Sequence, residues 1–261
     1  MSRRVVITGA TSGLGREMAV QLAREGCRLA LTGRRKEKLE EACAAARAAG
    51  APDVLALNGG VTEPAEVKAH YAQIKARWGG VDWAILNAGV GDSVGAREFS
   101  AENYRWTFDT NINGVAHWVE AVLPDMLAAK SGVIAGVASL AAYRGLPQSG
   151  AYSASKAALV TMLESMRVDL RGTGVDVVTI CPGFVKSEMT DRNLPGGTMP
   201  FMLTTEDGCR RMLDGIRARR RVVHFPWQLS LPTLYLLHNM PGFLYEALAS
   251  RIKRFKKPTP R

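Results

Sequence analysis

The sequence is poor in cysteine and histidine, with four of each. Cys27, Cys43, Cys181 and Cys209 form no CxxC pair, so neither a disulfide framework nor a zinc ribbon is indicated. The histidines do not cluster at ligand spacing, and we expect no metal site. Free thiols without a disulfide pattern are typical of a reducing compartment, so we expect a cytoplasmic location.

Long uninterrupted apolar runs are also missing. The N-terminal residues MSRRVVITG lead directly into a strand pattern, without the features of a secretory signal. Residues 225–249 are strongly apolar, but Pro226, Pro232 and Pro241 divide them into stretches too short to cross about 30 Å of hydrocarbon. Two interpretations stay open: short helices packed over the functional site, or a segment lying at a membrane interface.

Acidic residues are scarce near the C-terminus. Residues 206–261 hold 12 of the 34 Lys and Arg but only 4 of the 24 Asp and Glu, so most of the net charge of +10 lies there. This segment is either solvated surface or a contact for an anionic membrane, where each basic residue contributes roughly 1 kcal/mol. No nucleic-acid-binding motif accompanies the charge, so we expect no nucleic acid partner. The two basic clusters are Arg217, Arg219, Arg220 and Arg221, then Arg251, Lys253, Arg254, Lys256 and Lys257.

The 261 residues are 47% hydrophobic and 22% charged, which is typical of a globular protein. Apolar runs of strand length alternate with segments of helical period, and this alternation predicts an α/β fold with a parallel sheet between two helical layers. The predicted strands are Val5–Thr8, Arg28–Thr32, Val54–Leu57, Trp83–Asn87, Val133–Ala138, Asp176–Cys181 and Val222–Phe225. The predicted helices are Gly13–Glu25, Lys36–Ala49, Glu63–Trp78, Glu102–Leu123, with a kink allowed, and Ser149–Arg171.

Glycines cluster between the first predicted strand and the first predicted helix. Glycine permits tight turns and close backbone approach, while the amides at a helix N-terminus attract phosphate. The spacing GxxxGxG differs from the usual dinucleotide fingerprint GxGxxG. In this position the turn favours a nucleotide site over a simple chain reversal. The segment reads Thr8-Gly9-Ala10-Thr11-Ser12-Gly13-Leu14-Gly15.

The second predicted strand ends at Thr32-Gly33-Arg34-Arg35, without the acid that usually binds the ribose of NAD. A guanidinium can fork onto a 2′-phosphate, which an acid would repel. We therefore predict that Arg34 and Arg35 favour NADPH over NADH. Ordinary surface arginines at the start of a helix are the alternative interpretation.

Tyr152 and Lys156 are four residues apart in a predicted helix, so their side chains share one face. A nearby ammonium and a cationic nicotinamide both favour the phenolate over the neutral phenol. They would bring the tyrosine pKa from about 10 towards a value useful for acid–base catalysis. A YxxxK pattern alone is common by chance, and a helical tyrosine is more often part of a core.

Further motifs accompany this pair, and together they resemble those of the short-chain dehydrogenase/reductase family, in its compact single-domain form. The resemblance covers roughly residues 3–190 and a seventh strand at 222–225, and six motifs in the right order make it very specific. The glycine turn matches the family motif TGxxxGxG, and Asn87-Ala88-Gly89 matches its NAG motif. Asn111 and Ser139 match the family's asparagine in a helix and its catalytic serine. Tyr152 and Lys156 match its YxxxK motif, and Pro182-Gly183 with Ser187 matches its PGxxxT/S motif.

The resemblance implies a Rossmann-type, doubly wound sheet of about seven strands, and hydride transfer between a nicotinamide cofactor and a CH–OH or C=O group. The apolar segment 225–249 predicts a C-terminal helical extension, and the two arginines predict NADP(H) as the cofactor. The resemblance also implies that Tyr152 is the general acid/base and that Ser139 hydrogen-bonds the substrate oxygen. Lys156 would bind the nicotinamide ribose and lower the tyrosine pKa, and Asn111 would hold a water of the proton relay. The implied cofactor contacts are Gly9, Thr11, Ser12, Gly13, Leu14, Gly15, Arg34, Arg35, Asn87, Ala88, Gly89, Tyr152, Lys156, Pro182, Gly183, Val185 and Ser187.

One departure from the family concerns the adenine. Where the family often has an acid after the third strand, this sequence has Gly59-Gly60-Val61-Thr62. Two alternatives stay open: backbone groups contact the adenine, or affinity depends on Arg34.

The loops after Ser139 and Pro182 and the C-terminal segment are expected to bind the substrate. Their composition predicts a lipophilic carbonyl or alcohol substrate, although phosphate-bearing or carrier-bound substrates and simple packing on the domain stay open. We expect a lid at about residues 187–205, with a hinge at Pro195-Gly196-Gly197. The apolar candidates are Leu140, Tyr143, Leu146, Pro147, Met189, Leu194, Met199, Phe201, Met202 and Leu203.

We expect an NADP-binding catalytic domain over residues 1–225 and an apolar, then basic extension over 226–261, with peripheral membrane contact through the extension as one expectation. The family commonly pairs the helices that carry Asn111 and Tyr152, which implies a homo-oligomer, a dimer or a tetramer. The alternative function is a membrane-surface lipid-binding or scaffolding protein on the same fold, with catalysis incidental.

Overall fold

The computed structural model describes residues 2–193 and 199–251. Seven parallel strands form one sheet in the order β3-β2-β1-β4-β5-β6-β7. Every strand predicted from the sequence is confirmed, with ends that agree to within one residue. The strands are β1 Arg4–Ile7, β2 Arg28–Gly33, β3 Val54–Asn58, β4 Trp83–Leu86, β5 Gly132–Val137, β6 Val175–Pro182 and β7 Val222–Phe225.

Helices follow the strands and cover both faces of the sheet, as the sequence predicted. They are α1 Gly13–Arg24, α2 Lys36–Ala48, α3 Pro64–Trp78, α4 Ala101–Phe108, α5 Gly114–Ala129, α6 Gly150–Asp169, α7 Glu188–Asn193, α8 Thr205–Arg217, α9 Trp227–Leu231 and α10 Gly242–Ala249. Short 3₁₀ turns occupy Ala96–Glu98 and Leu140–Ala142, and π-helical segments occupy Asp109–Asn113 and Pro232–Leu237.

Alternate residues of the central strands belong to two separate hydrophobic clusters. Val5 and Ile7 pack with apolar side chains of α1, α2 and α8, whereas Val6 packs with those of α3, α5 and α6. Because both faces are covered, the central strands are apolar throughout rather than alternating. Burial of each such side chain contributes roughly 1.5–3 kcal/mol, so the sheet is a rigid support for the loops at its carboxyl edge.

The predicted helix Glu102–Leu123 is wrong in its C-terminal end, and the kink that the prediction allowed is a π-helical turn. The structure has α4 and α5 joined through the π-helical turn, and α5 continues past Pro124 to Ala129. The reason is packing beyond the proline. The Met126 side chain lies so close to Gly132 that a Cβ there would be 2.6 Å from the Met126 sulfur. This burial outweighs the helix-breaking tendency of proline.

Helices α7 and α8 were not predicted. Part of the predicted lid is the short helix α7, and α8 begins where the predicted lid ends. The sequence does carry a signal for α8, because the Thr204 side chain accepts a hydrogen bond from the Asp207 amide over 3.1 Å, as an N-cap does. Apolar residues at helical spacing follow and are buried: Cys209, Met212, Leu213 and Ile216. Leu194 and the expected hinge at 195–197 lie outside the described residues.

After β7, residues 227–249 form α9, the π-helical segment and α10. Short helices therefore occur here, as the first interpretation of this segment expected. Among the residues that the structure describes, no helix combines the length and hydropathy that crossing a membrane requires. The basic residues Lys253, Arg254, Lys256 and Lys257 lie outside the described residues.

Candidate active site

A cleft of about 470 Å³ lies at the carboxyl ends of the strands. The sheet order places β1 beside both β2 and β4, and a sheet of this kind binds ligands outside its carboxyl edge at such a switch point. Each of the cofactor residues expected from the sequence except Gly15 lines this cleft. They are Gly9, Thr11, Ser12, Gly13, Leu14, Arg34, Arg35, Asn87, Ala88, Gly89, Tyr152, Lys156, Pro182, Gly183, Val185 and Ser187.

The glycine turn and the segment after β4 touch through their backbones. Gly9 has a φ of +66°, and a Cβ there would lie 2.8 Å from the Ala88 Cα. Gly15 does not line the cleft, but a Cβ there would lie 2.3 Å from the Gly9 carbonyl oxygen. Asn87 donates from Nδ2 to the Thr8 carbonyl over 3.0 Å. Only glycines permit this approach, which leaves the cleft wide enough for a phosphate-bearing ligand.

The Arg35 guanidinium is held by the wall of the cleft. It donates to the hydroxyls of Thr11 over 2.9 Å and Ser12 over 2.6 Å, and to Glu188 over 2.8 Å. Lys38 donates to the other Glu188 oxygen over 2.9 Å. These hydrogen bonds outweigh partial burial and hold the pKa of Glu188 at about 2. This corner of the cleft therefore already binds one anion, supplied by the chain itself.

Arg34 differs from its neighbour. Its side chain is exposed and lines the cleft, and no ion pair or side-chain hydrogen bond to it occurs within residues 2–193 and 199–251. An acid cannot replace the adjacent Gly33 without a shift, because a Cβ there would lie 2.2 Å from the Thr11 methyl carbon. The cleft wall is consequently cationic at the position where a ribose-binding acid is usual.

The four residues expected to be catalytic come from three places in the fold. Ser139 follows β5, Tyr152 and Lys156 lie on α6, and Asn111 lies in the π-helical turn. Burial raises the pKa of Tyr152, and the neighbouring Ser139 hydroxyl opposes that rise. The Lys156 ammonium lies 5.7 Å from the centre of the Tyr152 ring, and burial lowers its pKa to about 8. The tyrosine and lysine therefore share one cleft, as their spacing predicted.

Asn111 is fully buried and its side chain is nearly saturated. Its Nδ2 donates to the Val90 carbonyl and the Ser155 hydroxyl, each over 2.9 Å, and its Oδ1 accepts from the Val90 amide over 2.8 Å. Because both amide hydrogens are used, a water could reach this side chain only through the second lone pair of Oδ1. The side chain chiefly fixes the segment after β4, a role that the sequence did not indicate.

The residues after β6 form another part of the cleft wall. Val185 is buried and pairs with Leu203, and the Ser187 amide donates to the Thr190 hydroxyl over 2.8 Å. A Cβ at Gly183 would lie 3.1 Å from a carbon of Pro226. The lid segment and the segment after β7 therefore both pack against this wall.

A second, mostly apolar cavity of about 310 Å³ shares Ser139, Tyr152 and Gly183 with the cleft. Four of the described residues expected to bind substrate are not in its wall: Tyr143, Phe201, Met202 and Leu203. The Tyr143 hydroxyl pairs with His224 Nε2 over 2.8 Å, and the Phe201 side chain is exposed. Of the residues expected to bind substrate, the wall includes Leu140, Leu146, Pro147, Met189 and Met199. It also includes Phe184, Leu229, Thr233, Leu237 and Tyr245, which sequence reasoning had not singled out.

Comparisons with known proteins agree with this geometry. A family model described as short chain dehydrogenase matches residues 3–196. An uncharacterized oxidoreductase of Myxococcus xanthus is 44% identical over 96% of this chain and 98% of its own length. The 11-beta-hydroxysteroid dehydrogenase 1A of Arabidopsis thaliana is 31% identical over 88% of this chain and 72% of its own. The crystal structure of a short chain dehydrogenase/reductase from Burkholderia phymatum in complex with NAD has a TM-score of 0.83, with 29% identity over 100% of this chain and 97% of that one.

Proposed function

We propose that this chain, which belongs to the short-chain dehydrogenase/reductase family, is an NADPH-dependent carbonyl reductase for a lipophilic ketone, with Tyr152 as its general acid. The observation that carries the proposal is that the cleft and the apolar cavity share part of their walls. Ser139 and Tyr152 line both the cleft and the apolar cavity, so their hydroxyls stand where a cofactor site and a substrate site meet. A carbonyl group at that junction is within reach of both.

The cleft fits the nicotinamide cofactor that this family uses. Its glycine cradle would be filled by any Cβ at position 9 or 15, and its walls supply amides, hydroxyls and a cation for a dinucleotide. When bound, the nicotinamide supplies the hydride for the carbonyl carbon. We assign the pyrophosphate and adenosine ribose to Gly9, Thr11, Ser12, Gly13, Leu14 and Gly15, the adenosine side to Asn87, Ala88 and Gly89, and the nicotinamide to Pro182, Gly183, Val185 and Ser187.

The preference for NADPH depends on this chain's own arginines, because the Burkholderia phymatum structure is a complex with NAD. Arg34 is the better candidate for the 2′-phosphate. Its guanidinium is exposed at the cleft, whereas Arg35 is bound to Glu188. A charge-assisted hydrogen bond from Arg34 would favour the phosphorylated cofactor by roughly 1.5–3 kcal/mol.

The side chains at the junction have separate roles in proton transfer. The Ser139 hydroxyl donates to the substrate oxygen and aligns the carbonyl, and the Tyr152 hydroxyl gives its proton to that oxygen as the alcohol forms. The Lys156 ammonium stabilises the phenolate that is left. Asn111 positions the segment after β4 and offers its remaining Oδ1 lone pair to a water that returns the proton.

The test of the cofactor assignment is binding of NADPH and NADH, followed by quenching of protein fluorescence, in the wild type and in Arg34→Ala. We expect NADPH to bind more tightly than NADH and to lose about tenfold or more in the variant, with NADH unchanged. Arg28→Ala is the matched control, because Arg28 is an exposed arginine at the opposite end of β2. Equal binding of the two cofactors to the wild type would refute the assignment.

A second candidate function, lipid-surface binding, is favoured by one observation. The helices after β7 expose large apolar side chains, with Tyr235 76%, Phe243 71% and Trp227 65% exposed, and the sequence continues into basic residues. We propose peripheral contact with anionic membranes as an addition to catalysis. Flotation with anionic vesicles tests it: wild type should float, Tyr235→Ser/Phe243→Ser should not, and failure of the wild type to float would refute it.

We propose a catalytic domain over residues 1–225 with an extension over 226–261, a homo-oligomer, and a cytoplasmic location.

A further inference from the structure

We propose that Arg144 binds a carboxylate of the substrate in the apolar cavity, which makes the substrate a lipophilic oxo acid. The inference rests on the proposed function and names its substrate class. Arg144 lies in the wall of the same cavity that Ser139 and Tyr152 line. A single ligand in this cavity is therefore able to meet the two hydroxyls and the guanidinium.

The positive charge in this cavity has no carboxylate partner in the described wall. Within its described wall, the charged side chains are Arg144 and Asp92, and the others are apolar or neutral. Asp92 has its own cation, since Arg192 Nη2 lies 3.5 Å from Asp92 Oδ1. Within residues 2–193 and 199–251 no carboxylate pairs with Arg144. A ligand with one negative charge would supply the partner that Arg144 lacks.

The guanidinium of Arg144 has neutral partners. Its Nη2 donates to the Met240 carbonyl over 2.6 Å, and its central carbon lies 4.4 Å from the centre of the Tyr245 ring. Its Nε is buried without a hydrogen-bond partner in the described part of the chain. Arg144 is half-buried, and a buried N–H donor without a partner is costly. A bound carboxylate would offset this cost by charge-assisted hydrogen bonds.

The position of Arg144 is fixed by contacts between its loop and the C-terminal helices. The Tyr245 hydroxyl donates to the Gly145 carbonyl over 2.8 Å, and His238 Nδ1 lies 2.9 Å from the Tyr143 carbonyl oxygen. The residues on both sides of Arg144 are thus tied to the helices that complete the cavity. A guanidinium held in this way loses little conformational freedom when it binds a ligand, which favours recognition.

The rest of the cavity wall indicates the chemical nature of the molecule that bears the carboxylate. Most of its surface is apolar and includes leucine, methionine, phenylalanine and proline side chains, and the cavity volume of about 310 Å³ is at the lower end for ligand sites. A small polar acid would leave this apolar surface uncovered. An aliphatic or alicyclic body between a ketone and a carboxylate would cover it.

The test compares acids with their esters. The substrates are 5-oxohexanoate, 7-oxooctanoate and 9-oxodecanoate, their methyl esters, and 2-decanone, each followed by NADPH oxidation with the full chain. We expect the wild type to have a kcat/KM at least about tenfold higher for one acid than for its ester. Arg144→Gln should remove that preference by lowering the acid value alone, while Arg144→Lys keeps part of it.

A purely structural role of Arg144 would give a different result. If Arg144 only held Met240 and Tyr245 in place, its loss would lower kcat/KM for acid and ester equally. That outcome would overturn the proposal. Turnover of esters and 2-decanone without a preference for any acid would overturn it too, while leaving the proposed reductase function intact.

Ligand binding without turnover provides a second, independent test. Decanoate and decanol carry no ketone, so their binding to the complex with NADPH can be measured by calorimetry even if no ketone of the panel reacts. We expect decanoate to bind the wild type more tightly than decanol, and Arg144→Gln to lose the difference. Equal binding of both compounds to the wild type would refute the carboxylate site, whereas failure of all ketones to react would count against the proposed function.

Discussion

Lys156 donates a hydrogen bond from Nζ to the backbone carbonyl of Val137 over 2.7 Å. Val137 ends β5 two residues before Ser139, so this bond fastens the helix that carries Tyr152 to the strand end that carries the serine. It also places the ammonium in a buried position, and burial lowers its pKa to about 8. The same contact that assembles the site therefore makes it sensitive to pH.

The first prediction concerns that pH dependence. Lys156 keeps its proton below pH about 8 and loses it above, because burial favours the neutral amine. We expect kcat/KM for ketone reduction to fall as the pH rises through about 8. The pKa of Tyr152 is raised from its ordinary value near 10, so its own titration lies at higher pH. In Lys156→Arg the guanidinium stays charged and the fall near pH 8 should vanish; its persistence would show that another group titrates there.

The second prediction concerns Gly91, which packs on the catalytic ring. A Cβ at this position would lie 2.5 Å from the Tyr152 Cδ2. Gly91→Ala should displace the ring and lower kcat by about a hundredfold, with NADPH binding kept. Gly145→Ala is the matched control, since a Cβ there meets nothing within 4 Å. Equal kcat values for the wild type and Gly91→Ala would show that the ring position is not critical.

Much of this architecture follows from local sequence signals. Each strand is a short apolar run, and the glycine turn and the Tyr152/Lys156 spacing fix local geometry, so all could be predicted without knowledge of the fold. The contacts that were missed join distant residues. Arg35 and Glu188 are 153 residues apart, and Tyr245 and Gly145 are 100 residues apart. No local sequence pattern predicts such pairs, because they form only when the helices and loops pack together in the folded protein.

The third prediction concerns the missed ion pair. Glu188 binds Arg35 and Lys38 and stays ionised because these bonds hold its pKa at about 2. Glu188→Gln should release both cations for a cofactor phosphate and raise NADPH affinity several-fold, with NADH affinity unchanged. Glu40→Gln, an exposed carboxylate on α2, is the control. A loss of NADPH affinity in Glu188→Gln would mean instead that the carboxylate positions Arg35 for binding.

The fourth prediction concerns the proline inside α5. Pro124 lies in the helix interior, where it has no amide hydrogen to donate and its ring crowds the preceding turn. Because its side chain is exposed, Pro124→Ala should create no cavity. We expect the free energy of unfolding, measured with urea, to rise by about 1 kcal/mol or more. A decrease would show that the restriction of the unfolded chain by proline is the larger effect.

The central claim is that Tyr152 protonates a ketone while NADPH reduces it, and Tyr152→Phe tests it most directly. The measurement uses NADPH deuterated at both C4 positions, the ketone panel, and mass spectrometry of the alcohol formed. We predict that the wild type yields alcohol with one deuterium on the carbinol carbon. Tyr152→Phe should still bind NADPH, through the rest of the cleft, but form alcohol at least about a hundredfold more slowly. Unlabelled alcohol from the wild type, or an undiminished rate in Tyr152→Phe, would contradict the account.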